Sequence, residues 1–180
     1  MDKFKNYYKI ESTRLQNWDY RWAGSYFITI CTKQKVPYFG IIENNEMILS
    51  EIGVIANQLW FEIVQHADQV ELGAFMVMPD HIHGILTIKK NSSQESEQFR
   101  DNACVVSTTT AENDQSIGQK RFQNQGKNSV SSIIGGYKSA VSRQVRAKGF
   151  EFYWHSRFYD VLIQDERAMN NFSAYIKNQL

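Results

Sequence analysis

Two imidazoles stand two residues apart in the run Val77-Met78-Pro79-Asp80-His81-Ile82-His83-Gly84-Ile85-Leu86. The run reads as the start of a buried strand. Side chains alternate across a strand, so His81 and His83 share one face while Ile82 points to the other with Leu86 and Ile88. Two neutral imidazoles side by side make a site for a divalent metal ion. The plainer reading is two hydrogen-bonded histidines at a strand end. Pro79-Asp80 breaks the hydrophobic run 74–78 just ahead of the pair. Gly84 leaves space on the face opposite the histidines, or lets another backbone approach.

The string from Met78 to Ile85 closely resembles the signature of the HUH single-tyrosine transposases, in particular the REP-associated tyrosine transposases. Asp19-Tyr20 and the segment 24–32 resemble that family's first strand and its lead-in. Phe39-Gly40 and the segment 46–50 are similar to its next strand. Gly135-Gly136-Tyr137-Lys138-Ser139-Ala140, Trp154, Arg157-Phe158-Tyr159-Asp160 and Tyr175-Ile176-Lys177-Asn178 resemble its C-terminal half. The segment from about 90 to 127 has no counterpart.

The resemblance implies a ferredoxin-like fold and a metal-dependent reaction at DNA. A tyrosine hydroxyl attacks a phosphodiester, joins the 5′ side covalently and frees a 3′-OH. His81 and His83 would hold Mg²⁺ or Mn²⁺; Mg²⁺ prefers oxygen donors, so Mn²⁺ suits two nitrogens better. Tyr137 sits on the helix where the resemblance places the nucleophile. It also lies mid-way along that helix's apolar face, where a core aromatic belongs. Tyr159 and Tyr175 are alternatives, with packing the expected role of each. Related transposases take a third ligand from a polar residue one helical turn after the tyrosine. After Tyr137 that position is Val141, which has no donor atom; Gln144, a turn further on, is a weaker candidate. The implied partner is single-stranded or hairpin DNA, and the implied assembly a homodimer. A second reading is a domesticated relative that binds structured single-stranded DNA without cutting it. Val141 and the apolar setting of Tyr137 favour that reading, and the intact histidine pair favours the enzyme. His66 and His155 lack a motif and read as surface or supporting residues.

DNA contacts require cations and stacking surfaces. Lys138, Arg143, Arg146 and Lys148 form one basic stripe. Arg14, Arg21 and Lys33, interleaved with Trp18, Tyr20 and Trp22, form another. Each taken alone also reads as a solvated helix face or a packed arm. Lys120, Arg121 and Lys127 could add a flexible basic finger.

The elements that must position these residues follow from periodicity. Residues 25–33 alternate as a central strand ended by Pro37, and 39–49 reads as a hairpin about Asn44-Asn45. Ser50 caps a helix over about 51–65. Strands over 70–78 and 81–89 pair antiparallel if Pro79-Asp80 makes the turn. Residues 90–127 read as a mobile insertion, with an ordered strand at 105–110 as the lesser alternative. From Ser129 an amphipathic helix with a basic side runs to Gly149. A strand over 157–164 and a helix capped by Asp165 complete the chain. This is an α+β order, expected to fold as a ferredoxin-like antiparallel sheet with helices packed on one face.

The chain has 180 residues, of which 42% are hydrophobic and 13% aromatic, enough for one core and one domain. The net charge is only +1, so any nucleic-acid surface must come from local clustering. No stretch is long enough to span a bilayer, and the first residues lack the apolar run of a signal peptide, so a cytoplasmic protein without membrane contact is expected. Cys31 and Cys104 are far apart; Cys31 is expected as a buried thiol, not a disulfide.

Overall fold

The computed structural model describes residues 22–67, 69–89 and 129–179, together with the backbone pairing of β1 (Lys3–Phe4) with β2 (Tyr7–Tyr8). The insertion at 90–127, the alternative strand at 105–110, Cys104, Arg14, Trp18, Tyr20, Arg21 and the proposed basic finger lie outside the described residues.

A βαββαβ unit forms the body. Its strands are β3 (Gly24–Cys31), β6 (Val70–Val77), β7 (His81–Ile88) and β8 (Tyr159–Ile163), all antiparallel in the order β6-β7-β3-β8. Numbered within the unit, that is the 4-1-3-2 order of a ferredoxin-like sheet. β4 (Gly40–Glu43) and β5 (Glu46–Leu49) form a separate two-stranded hairpin. Its turn is the expected Asn44-Asn45, both at positive φ, the backbone that asparagine tolerates and a tight hairpin requires.

The two crossover helices are α1 (Glu51–His66) and α2 (Val130–Ala147). Ser50 caps α1 by accepting from Gly53 N, and Ser129 caps α2 by accepting from Ser132 N. Both bury their apolar stripes on one face of the sheet. Trp60, Tyr137 and Ile134 meet Tyr26, Ile28, Ile82 and Leu86 there. At roughly 1.5–3 kcal/mol for each large apolar side chain buried, this layer supplies most of the driving force for the fold.

The fold class agrees with the sequence reading, but one helix does not share that face. Asp165 accepts from Ala168 N to start α3 (Glu166–Lys177). α3 lays Ala168, Met169, Phe172 and Ile176 over the other face, against Phe27, Ile85 and Ile163. That is the histidine face, because Phe27 and Ile85 alternate with Tyr26, Ile28 and Leu86. Periodicity gives the buried side of a helix, not the side of a sheet it will cover.

β3 also ends earlier than expected. The Thr32 hydroxyl donates to Val36 O and Asp80 O, and the chain turns through Gln34 and Lys35 at positive φ, before Pro37 is reached. Among the described residues no helix is long and apolar enough to cross a membrane.

Gly84 has a specific occupant. It lies on the face away from the histidines, and a Cβ there would stand 2.3 Å from Trp60 Cζ2. An indole, not another backbone, requires the glycine. Gly84→Ala is therefore expected to lower stability by about 1–3 kcal/mol, the usual cost of overpacking a core. A urea melt checks this, and an unchanged midpoint would count against the tight fit.

Candidate active site

The histidine pair is built by the β6–β7 turn. Met78 N donates to His81 O across Pro79-Asp80, closing the expected two-residue hairpin. Thr32, just past the end of β3, donates from its backbone and its hydroxyl to Asp80 O, which clamps the turn to the central strand. In register, Cys31 faces His81 and Thr29 faces His83.

The two rings lie 4.6 Å apart, centroid to centroid, at 75°. Each has its Nδ1 engaged. His81 Nδ1 lies 2.6 Å from Asp80 Oδ1, and His83 Nδ1 lies 2.9 Å from Thr29 Oγ1. An ionised carboxylate only accepts, so His81 carries its proton on Nδ1 and keeps Nε2 as a donor atom for a metal. Metal-binding imidazoles are held in this way, with the second nitrogen fixed by a carboxylate or hydroxyl. His83 is 6% exposed. Burial, and then the neighbouring His81, hold its pKa down at about 4, so it is neutral at physiological pH with a lone pair to give. The donor set thus fits a divalent ion, though two nitrogens do not complete a site. Among the described residues no group of three or more His, Cys, Asp and Glu side chains is arranged to hold a metal.

Tyr175 reaches the same place from α3. Phe172 and Ile176, one turn apart, anchor the helix on the sheet. Phe27 stacks on both Phe172 (4.6 Å) and His83 (5.1 Å), so one ring sets the spacing between helix and histidine. Tyr175 stands at the border of the buried stripe, 54% exposed, with its ring 5.5 Å from that of His83 at 69°. An exposed phenol meets the ring of His83, which in turn meets that of His81.

Tyr137 does not belong to this group. It is 4% exposed and packs edge-on against Trp60. Its hydroxyl donates to Ala56 O of α1 at 2.9 Å, and burial pushes the phenol well above its usual pKa. It lies on the face opposite the histidines, in the α1–α2 layer. The expectation that it attacks a phosphate is corrected on that ground: the sheet separates it from the imidazoles, and its proton is committed to a carbonyl. Tyr159 opens β8 and is half-exposed beside the His155 ring. Sequence reasoning gave Tyr175 a packing role. Asn178 and Gln179 follow Tyr175 by three and four residues.

The basic stripe on α2 divides. Lys138 is half-buried, donates to His155 O at 2.7 Å and sits over the Trp154 ring; burial lowers its pKa. Lys148 faces Glu51 at 3.5 Å. Arg143 and Arg146 are exposed and line a groove with Lys138. Lys33 lies over Tyr153. Cys31, expected buried, is only partly so; burial and then Asp80 push its thiol pKa up. His155 lends its backbone N–H to Cys31 O, and its ring lies beside that of Tyr159.

No family model matches the chain. An uncharacterised protein of Haemophilus influenzae is 33% identical over 172 residues, covering 93% of this chain and 86% of that one. A solved structure of a REP-associated tyrosine transposase bound to a REP hairpin superposes with a TM-score of 0.53, at 15% identity, over 93% of this chain and 70% of that one.

Proposed function

The chain belongs to one family with the Haemophilus influenzae protein and has the fold of the REP-associated tyrosine transposase; from that premise we propose that it is an HUH single-tyrosine transposase acting on single-stranded or hairpin DNA, with Tyr175 as nucleophile. One observation carries the reading: an exposed phenol stands beside a pair of imidazoles whose Nδ1 atoms are already engaged. The two features that favoured a non-cutting binder, Val141 and the apolar setting of Tyr137, both concern a residue this reading does not use.

His81 and His83 would hold the divalent ion, with a side-chain oxygen from Asn178 or Gln179. When bound, the ion would mask the negative charge of the phosphate as a Lewis acid. The chain's own groups do the rest. Asp80 and Thr29 fix the two rings. Phe27 and Phe172 hold α3 at the distance that presents Tyr175. The Tyr175 oxygen forms a bond to phosphorus as the phosphorus–O3′ bond breaks. The phenol loses one proton and the departing 3′ oxygen gains one, so the exchange is redox-neutral and reversible.

The test is a denaturing gel of labelled hairpin oligonucleotides incubated with the protein and Mn²⁺ or Mg²⁺. A slow-migrating covalent protein–DNA band, removed by EDTA, is expected. Hairpin binding without any covalent band would replace the enzyme by the binder.

A further inference from the structure

We propose that the groove between α2 and the Trp154–His155 segment is a second nucleic-acid site, an anchor for the sugar-phosphate backbone outside the cleavage centre. The groove is open and encloses about 550 Å³. Among the described residues it is lined by Lys138, Ser139, Ser142, Arg143, Arg146 and Trp154: three cations, two hydroxyls, one indole and no carboxylate. That composition suits phosphates with an unstacked base on the ring, and offers nothing to a cationic ligand.

The cations differ in role. Lys138 is bonded to His155 O and lies over Trp154, while Trp154 Nε1 donates back to Lys138 O. These contacts fix the wall of the groove. Among the described residues, Arg143 and Arg146, one turn apart and exposed, are the groups left to meet phosphate. Lys148 is turned to Glu51 and does not line the groove.

The groove is tied to the histidine end of the sheet. His155, which accepts from Lys138, donates its backbone N–H to Cys31 O, and Cys31 is the register partner of His81. A strand lying in the groove would leave it at the sheet end that carries the histidine pair. The proposal takes its choice of DNA from the function proposed above.

The test is fluorescence anisotropy of the full-length protein with a labelled hairpin carrying a single-stranded tail, in EDTA, at several salt concentrations. R143A/R146A removes the two exposed arginines of the groove. K89A/K148A removes the same charge elsewhere. Ser139→Leu fills the groove without changing charge; Ser139 is exposed and its hydroxyl donates to Gly135 O within the helix. R143A/R146A and Ser139→Leu are expected to weaken binding at least tenfold, and K89A/K148A less than threefold. The salt slope of R143A/R146A should fall by about 1.4 if the groove holds a single strand and about 1.8 if it holds duplex. Equal losses in both double variants would reduce the groove to bulk charge and overturn the proposal, as would unchanged binding by Ser139→Leu. Competition by polyglutamate as effective as by oligonucleotide would make it a general anion surface and also overturn it. Circular dichroism melts confirm that each variant is folded. The two readings fail separately: groove variants that bind normally while the parent still forms the covalent band remove only the groove. A parent that forms no band but loses hairpin binding on R143A/R146A removes only the enzyme.

Discussion

Tyr175→Phe is expected to leave the protein folded and to abolish covalent attachment to DNA, while Tyr137→Phe is expected to lower stability modestly and keep covalent attachment. The Tyr175 ring is half-exposed and keeps its contacts with Phe27 and His83 when the hydroxyl is removed. Stability should therefore change by less than about 0.5 kcal/mol, as for most surface substitutions. The attacking atom is gone, so adduct formation should fall at least about a thousandfold. Tyr137→Phe removes a buried donor to Ala56 O and should cost about 1 kcal/mol. Once the variant is folded, its cleavage rate should match the parent's. Chemical denaturation paired with the gel assay reads both quantities. Loss of the covalent band in Tyr137→Phe, with its persistence in Tyr175→Phe, would return the nucleophile to α2.

The second large effect concerns the imidazole pair, and it is graded. His81→Ala leaves a single ring nitrogen, so Mn²⁺ binding measured by calorimetry should be lost. Cleavage should fall about a thousandfold with it, since charge masking by a metal supplies several kcal/mol. Asp80→Asn keeps the ring but replaces the carboxylate that holds Nδ1. Metal affinity should then drop about 10–100-fold, and raising the Mn²⁺ concentration should recover cleavage. Full-strength Mn²⁺ binding by Asp80→Asn would mean that Asp80 merely closes the turn.

Why Tyr137 misled and Tyr175 escaped is a matter of where each stands on its helix. Tyr137 occupies the centre of the α2 stripe with Ile133, Ile134 and Val141, and such a position is buried whichever layer the helix joins. Tyr175 stands at the edge of the α3 stripe, three residues after Phe172 and next to Ile176. Edge positions look like packing residues in a sequence and become surface chemistry only when the helix sits against a site. The arginines behaved similarly. The α2 stripe was visible as charge, but only the structure shows that Lys138 and Lys148 are engaged while Arg143 and Arg146 stay exposed.

The sequence by itself determined what local geometry controls. The two-residue period of a strand put His81 and His83 on one face. Pro79-Asp80 set the hairpin before them, and Ser50, Ser129 and Asp165 started the three helices. Those features depend on neighbours within a few residues, and the structure agrees with each. The tertiary structure alone decided which helix covers the histidine face. It also decided that Trp60 fills the space behind Gly84, and which tyrosine meets His83. These depend on contacts between residues tens to more than a hundred positions apart, such as Phe27 with Phe172 and Tyr137 with Ala56. An apolar stripe records only that a side is buried. Its partner is chosen by the packing of the whole chain.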